Sequence, residues 1–356
     1  MKKLVRVMLW FAGGIVLIVA SIFLAFQLSP RPGAFLIGQM FNQEVTIKDP
    51  TAYQESLKNV TVKTDLSYPS DYQKSTFDLY YPQQADAPVP VLFWVHGGGY
   101  VGGDKAGVKE FATYIADKTQ VAVIALNYEA APDLQYPGQV LQIQQAVQSL
   151  LASAENYPQF DFTHLFFGGD SAGGQIAGQY VALQTNAAYA TEMHVKKDIA
   201  TDNIKGFISY CGPLELKQIT SISSDDAFMK FFVHTVAWSL LGRKAWQESD
   251  ELQKISLIDK LTEAFPPSYL TDGNAYSFQE QESAFADQLT ALSIPVTSRF
   301  YQNDAHTVTH EYQFDYSTKE ANACLAETIA FINNNKLRSA RDQCKNDLGR
   351  FTLWSD

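Results

Sequence analysis

The stretch Leu165-Phe166-Phe167-Gly168-Gly169-Asp170-Ser171-Ala172-Gly173-Gly174 runs from an apolar strand pattern into a small-residue turn and on into the helical pattern Gln175 to Leu183. It fits G-x-S-x-G in the strand-turn-helix setting that motif requires. A serine flanked by glycines can occupy a tightly turned backbone that lifts its hydroxyl above a sheet and puts the next amide at a helix N-terminus. Ser171 is therefore the candidate nucleophile.

Seventy-five residues upstream, the apolar run Val91-Leu92-Phe93-Trp94-Val95 ends in His96-Gly97-Gly98-Gly99-Tyr100. Consecutive glycines leave backbone amides unobstructed and able to face a developing oxyanion. A glycine-rich loop can also cradle phosphate, but no Lys-Ser or Lys-Thr follows this one, and no dinucleotide G-x-G-x-x-G with a downstream acid accompanies it.

Around these turns, short apolar runs alternate with helical periodicity, the rhythm of a parallel sheet covered by helices. Strands are expected at Phe77 to Tyr81, Val89 to Val95, Val121 to Leu126, Leu165 to Gly168, Gly206 to Tyr210, Ser268 to Thr271 and Val296 to Tyr301. Several lack polar alternation, as strands buried on both faces should. Residues 213–262 break the rhythm with a helix-rich insertion containing Phe228, Phe231, Phe232, Trp238 and Trp246, which reads as a cap.

With both motifs in hand, the chain resembles the hormone-sensitive-lipase-like branch of the α/β-hydrolases, carboxylesterases and lipases with an H-G-G-G oxyanion loop and a G-D-S-A-G nucleophile elbow. The resemblance runs from about Leu79 to Asn334. Asn127-Tyr128-Glu129-Ala130-Ala131-Pro132 departs from the branch's usual Y-R-L-A-P-E, keeping Tyr128, Ala131 and Pro132. The implied fold is an α/β-hydrolase with a mostly parallel central sheet, flanking helices and a helical cap.

The implied chain order of the triad is Ser, then acid, then His. Asp272 ends the strand pattern after Pro266-Pro267 and precedes Gly273, matching the branch's P-P-x-x-x-x-D-G. Two histidines, His306 and His310, sit in the following loop. The resemblance favours His310, because His310-Glu311-Tyr312-Gln313-Phe314 has bulky residues to seat the loop. By the same resemblance, amides of Gly98, Gly99 and Ala172 hold the oxyanion, His96 and Gly97 support the glycine loop, and Asp170 braces the elbow. His96, His164, His194 and His234 show no metal-type pairing, so a zinc hydrolase is disfavoured. No metal or cofactor is expected.

At the N-terminus, Val7 to Phe26 carries no charge for 20 residues, long enough as a helix to match a hydrocarbon core of about 30 Å. The run ends without a small-x-small cleavage site, which favours an uncleaved signal anchor. Lys2, Lys3 and Arg6 precede it and only Arg31 follows closely, so the N-terminus is expected in the cytoplasm and the remainder outside. The expected organisation is an anchor over 1–28, a linker with an N-terminal cap contribution over 29–70, a hydrolase domain over 71–336 with its cap at 213–262, and a tail over 337–356.

Of the 356 residues, 46% are hydrophobic and 18% charged, which excludes a disordered chain. The net charge of −11 becomes −15 without residues 1–32, which hold four bases and no acid, and nucleic-acid binding is disfavoured. Cys211, Cys324 and Cys344 are too few for a disulfide framework; three unpaired thiols are favoured over a Cys324 to Cys344 bridge. The leading function is a serine esterase cleaving short- to medium-chain acyl esters, its partners a small-molecule ester and the membrane. The same triad would serve a cell-surface glycan O-deacetylase or an acyltransferase. A non-catalytic ligand-binding protein of this fold is the alternative from another class.

Overall fold

The computed structural model describes residues 2–42, 44–221, 226–302 and 306–337. Among these an eight-stranded sheet forms the centre, in the order β1-β2-β4-β3-β5-β6-β7-β8. The strands are β1 (Val60–Ser67), β2 (Thr76–Pro82), β3 (Val89–Val95), β4 (Ala122–Leu126), β5 (Phe160–Asp170), β6 (Ile204–Tyr210), β7 (Ser268–Asp272) and β8 (Val296–Phe300). β2 runs antiparallel to β1 and β4, and every other pairing is parallel. This is the α/β-hydrolase fold.

The helices are α1 (Lys2–Leu28), α2 (Arg31–Phe41), α3 (Pro50–Leu57), α4 (Lys109–Thr119), α5 (Gly138–Ala152), α6 (Ala172–Thr185), α7 (Ala187–Glu192), α8 (Ala227–Leu241), α9 (Glu251–Ile255), α10 (Gln279–Ala291) and α11 (Lys319–Asn335). They cover both faces of the sheet, which explains the unbroken apolar runs of the central strands. Val91, Phe93, Val95 and Phe167 face one core with Ile143 of α5 and Ile176 and Tyr180 of α6. Leu92, Trp94 and Phe166 face the other with Phe111 and Ile115 of α4 and Ile332 of α11.

The seven expected strands all form, with ends shifted by a few residues. The eighth, β1, lies within the stretch expected to be a linker over 29–70 and needs a correction: it pairs with β2 at the edge of the sheet. Half of its side chains face solvent, and its alternation of Val60, Val62 and Leu66 with polar residues is short, broken at Thr64 and by an irregular register between Lys63 and Leu66. The same stretch supplies α2, which packs on α8 where Gly33 approaches Thr235 and Phe231.

α1 contains one span of 26 residues, Lys3–Leu28, long and apolar enough to cross a membrane, with none of its most apolar window buried in the protein. Among the described residues Cys211 and Cys324 are buried and form no disulfide; the alternative bridge from Cys324 to Cys344 falls on Cys344, which with the tail from 338 onward lies outside the described residues.

Candidate active site

Register brings the C-terminal ends of the central strands level: Val95 pairs with Gly169, Asp170 with Tyr210, Tyr210 with Thr271 and Asp272 with Phe300. The loops leaving these ends converge, as is usual for sites in open parallel sheets. The loops after β3, β5, β7 and β8 carry the groups singled out in the sequence, and the loop after β6 adds Cys211 beside them.

Ser171 sits between β5 and α6 at φ +49°, ψ −122°, a backbone conformation that a residue with a side chain rarely adopts. The turn is held by its amide donating to the Tyr210 carbonyl at 2.7 Å. The motif's glycines make the turn sterically possible. A Cβ on Gly173 would lie 2.0 Å from the Val95 carbonyl oxygen, and one on Gly169 would lie 2.4 Å from the Gly173 backbone.

His310 reaches the serine from the loop after β8, its Nε2 3.0 Å from Ser171 Oγ. The His310 amide donates to the Ala275 carbonyl at 3.0 Å, and its ring meets Phe278 edge-on at 5.4 Å. Tyr312 and Gln313 seat the loop, bonding the Thr271 hydroxyl at 2.6 Å and its carbonyl at 3.0 Å. His306 is turned elsewhere: its side chain is 62% exposed and lies 3.6 Å from Glu320.

Asp272 is fully buried, with Oδ1 accepting from the Gly273 amide at 2.7 Å and Oδ2 from the Phe278 amide at 2.6 Å. Its Oδ1 stands 3.5 Å from His310 Nδ1. That is longer than a formed hydrogen bond, and a shift of the imidazole by about half an ångström would close it. Burial pulls the imidazole pKa down, but the neighbouring Asp272, together with the charges of Glu311 and Asp170, outweighs burial and leaves it above the ordinary value.

The glycine loop lies on the other side of the serine. Gly98 has φ +118° and Gly99 φ +57°; a Cβ on Gly98 would sit 2.2 Å from the Gly102 carbonyl oxygen. Gly99, Ser171 and Ala172 line one cavity with His310, and the amide of Ala172, in the first turn of α6, has no intrahelical acceptor. His96 is buried, stacks on Tyr128 at 4.5 Å and bonds the Gly97 carbonyl through Nδ1 at 2.6 Å. Because a carbonyl only accepts, Nδ1 carries the proton, and burial lowers the His96 pKa to about 4, so the ring is neutral. Asp170 ties the loop to the elbow, accepting from Trp94 Nε1 at 2.8 Å and from the Gly97 amide at 2.6 Å.

Three contributors had no assigned role in the sequence. Tyr100, at φ +61°, donates its hydroxyl to Gln175 of α6 at 3.2 Å and so fastens the glycine loop to the elbow helix. Glu311, at φ +60°, turns its carboxyl back toward Gly97 and Asp170. Cys211, at φ +51°, brings its thiol within 4.8 Å of ligand atoms of His310 and Glu311; burial pushes that thiol pKa well up. For Glu311 the available signal was an acid inside an otherwise bulky, loop-seating run.

A hydroxyl, an imidazole and a carboxylate in series, next to amides at a helix start, can support nucleophilic acyl transfer. The cavity above them measures about 1550 Å³. Its walls include Met40 and Phe41 of α2, Phe228 and Phe232 of α8, and Leu252 of α9.

The family model described as BD-FAE matches residues 77–286 of the chain. A putative alpha/beta hydrolase of Acanthamoeba polyphaga mimivirus is 36% identical over 89 residues, a quarter of each chain; the chain thus spans a quarter of the length of that curated relative. Among solved structures, inhibited esterase B from Lactobacillus rhamnosis superposes with a TM-score of 0.65 at 21% identity, covering 92% of this chain and 99% of that one. A bacterial heroin esterase gives 0.63 at 19%, covering 87% and 91%. At such identities the likeness is one of fold.

Proposed function

The chain belongs to the BD-FAE family, and from that premise we propose that it is a serine ester hydrolase with Ser171, His310 and Asp272 as its triad. The observation that carries this reading is the 3.0 Å approach of His310 Nε2 to Ser171 Oγ at a strained strand-to-helix turn. The H-G-G-G and G-D-S-A-G motifs further favour the hormone-sensitive-lipase-like branch.

In this mechanism Ser171 Oγ attacks the ester carbonyl carbon as His310 Nε2 takes its proton. The resulting oxyanion is held by the amides of Gly98, Gly99 and Ala172, each such donor contributing about 3 kcal/mol to the transition state. His310 then protonates the leaving alcohol, giving an acyl-enzyme on Ser171. Water, deprotonated by the same imidazole, attacks the acyl carbon and releases the carboxylic acid. Asp272 holds the ring and stabilises the imidazolium, while His96, Gly97 and Asp170 keep the oxyanion loop in place. The apolar cavity walls suit short- to medium-chain acyl groups.

Residues 1–28 serve as a membrane anchor with a cytoplasmic N-terminus, and the hydrolase unit, capped by residues 213–262, stands outside. Turnover of a nitrophenyl ester by the full chain and by Ser171→Ala tests the catalytic reading. A fall of at least a thousandfold is expected; equal rates would overturn it.

A further inference from the structure

The geometry points to the lipid bilayer as the occupant of an apolar rim formed by α2 and α8, so that the active-site cavity takes its acyl ester from the membrane leaflet. This rests on the ester-hydrolase and anchor readings above and adds to them the source and class of substrate: a membrane-dissolved ester with an apolar tail.

Sequence distance is the first reason. Only Ser29 and Pro30 separate the end of α1 from α2, and two residues reach at most about 7 Å. With α1 across a bilayer, α2 has to lie at its surface. The exit point is fixed against the body as well: Phe26 of α1 meets Phe231 of α8 at 6.4 Å, and Lys244 donates to the carbonyl and side-chain oxygen of Gln27, both at 2.8 Å.

Composition of the rim is the second. α2 buries Ala34, Ile37 and Gly38, while Phe35, Leu36 and Met40 on its outer side are 66%, 52% and 50% exposed. On α8, Phe228 and Phe231 are 47% and 36% exposed. Scattered apolar residues on a surface need no explanation, but a contiguous set does. A helix with an apolar outer face and a covered inner face is the pattern that settles into the headgroup and acyl boundary. Charge does not draw this unit to a membrane, since it carries a net −15 beyond residue 32 and cytoplasmic-type anionic surfaces would repel it; contact therefore falls to apolar surface.

The third reason is continuity with the chemistry. Met40 and Phe228 of the rim also line the cavity that holds Ser171 and His310. A tail leaving the bilayer between α2 and α8 would meet Met40, Phe41, Phe228 and Phe232 on the way to the nucleophile, with Asp226 and Lys230 also on the wall.

The test uses the full chain reconstituted into phosphatidylcholine vesicles, with Phe35→Ser/Leu36→Ser as the rim variant, since neither residue lines the cavity. Nitrophenyl acetate added from water should be hydrolysed at the same rate by both proteins. Nitrophenyl decanoate dissolved in the vesicles should be hydrolysed at least fivefold more slowly by the variant. Equal rates on the decanoate would overturn the proposal. A readout independent of activity is an environment-sensitive fluorophore on Leu36→Cys, with Thr163→Cys near the far end of β5 as reference, both in a Cys344→Ser background. Quenching by brominated lipid at 36 and not at 163 is expected. Absence of quenching at 36, including shielding by a second copy of the chain, would overturn the proposal. Should Ser171→Ala leave acetate turnover intact, the ester-hydrolase reading fails by itself, and the quenching result still decides what covers the rim.

Discussion

Glu311 and Asp170 direct two carboxyl groups at the same glycine: a Cβ on Gly97 would lie 2.9 Å from Glu311 Oε1 and 2.5 Å from Asp170 Oδ2. Burial, and next the charge of Glu311, push the Asp170 pKa up to about 7, and burial raises Glu311 also. Both sit beside His310, so in the proposed mechanism a pair of acids adjusts the base while one of them holds the glycine loop by its Gly97 amide. The influence of Glu311 on His310 has a sign that can be measured.

In the proposed mechanism His310 must be neutral to accept the serine proton, and its pKa lies above the ordinary 6.5 or so because neighbouring acids outweigh burial. The acid limb of kcat/KM against pH should therefore fall on the alkaline side of that value. Glu311→Gln removes one of the raising charges, so the limb should move to lower pH. A limb that stays put or moves up would show that Glu311 does not act on the base.

Asp272→Asn should lower kcat by about 10³- to 10⁴-fold, the size of effect seen when a triad acid no longer selects the imidazole tautomer. The carboxylate stands 3.5 Å from Nδ1, so a loss below tenfold would mean that the gap never closes during turnover.

The two loop histidines separate cleanly. His306 is exposed and faces Glu320, and His306→Ala should keep nitrophenyl ester turnover within about twofold, as surface changes usually do. His310→Ala should remove it by at least about a thousandfold. The reverse pattern would exchange their roles.

The steric reading of the elbow gives a stability test. Gly173→Ala places a methyl 2.0 Å from a backbone carbonyl oxygen, and overpacking of this kind costs typically about 1–3 kcal/mol. Gly107→Ala, where a Cβ meets nothing within 4 Å, should change urea unfolding by less than about 0.5 kcal/mol.

Much of this was readable in the chain. The strands buried on both faces announce themselves as apolar runs, and the two glycine-rich turns carry their own steric logic within ten residues each. β1 is only weakly marked, because Val60, Val62 and Leu66 alternate with polar residues over a short stretch that is broken at Thr64 and by a register shift between Lys63 and Leu66. The choice of His310 over His306 came from resemblance alone; spacing along the loop treats both alike.

By itself the sequence determined whatever depends on neighbours in the chain. Hydrophobic periodicity fixed the sheet-and-helix alternation, glycines fixed where backbone could turn tightly, and an uncharged 20-residue run fixed an apolar helix at the N-terminus. Only the tertiary structure decided which distant groups meet: His310 with Ser171 across 139 positions, Glu311 with Asp170, and α2 with α8 beside the end of α1. Those meetings are set by strand order and register in a sheet whose pairings join non-consecutive strands. Such packing is a property of the whole fold, and no local pattern of residues encodes it.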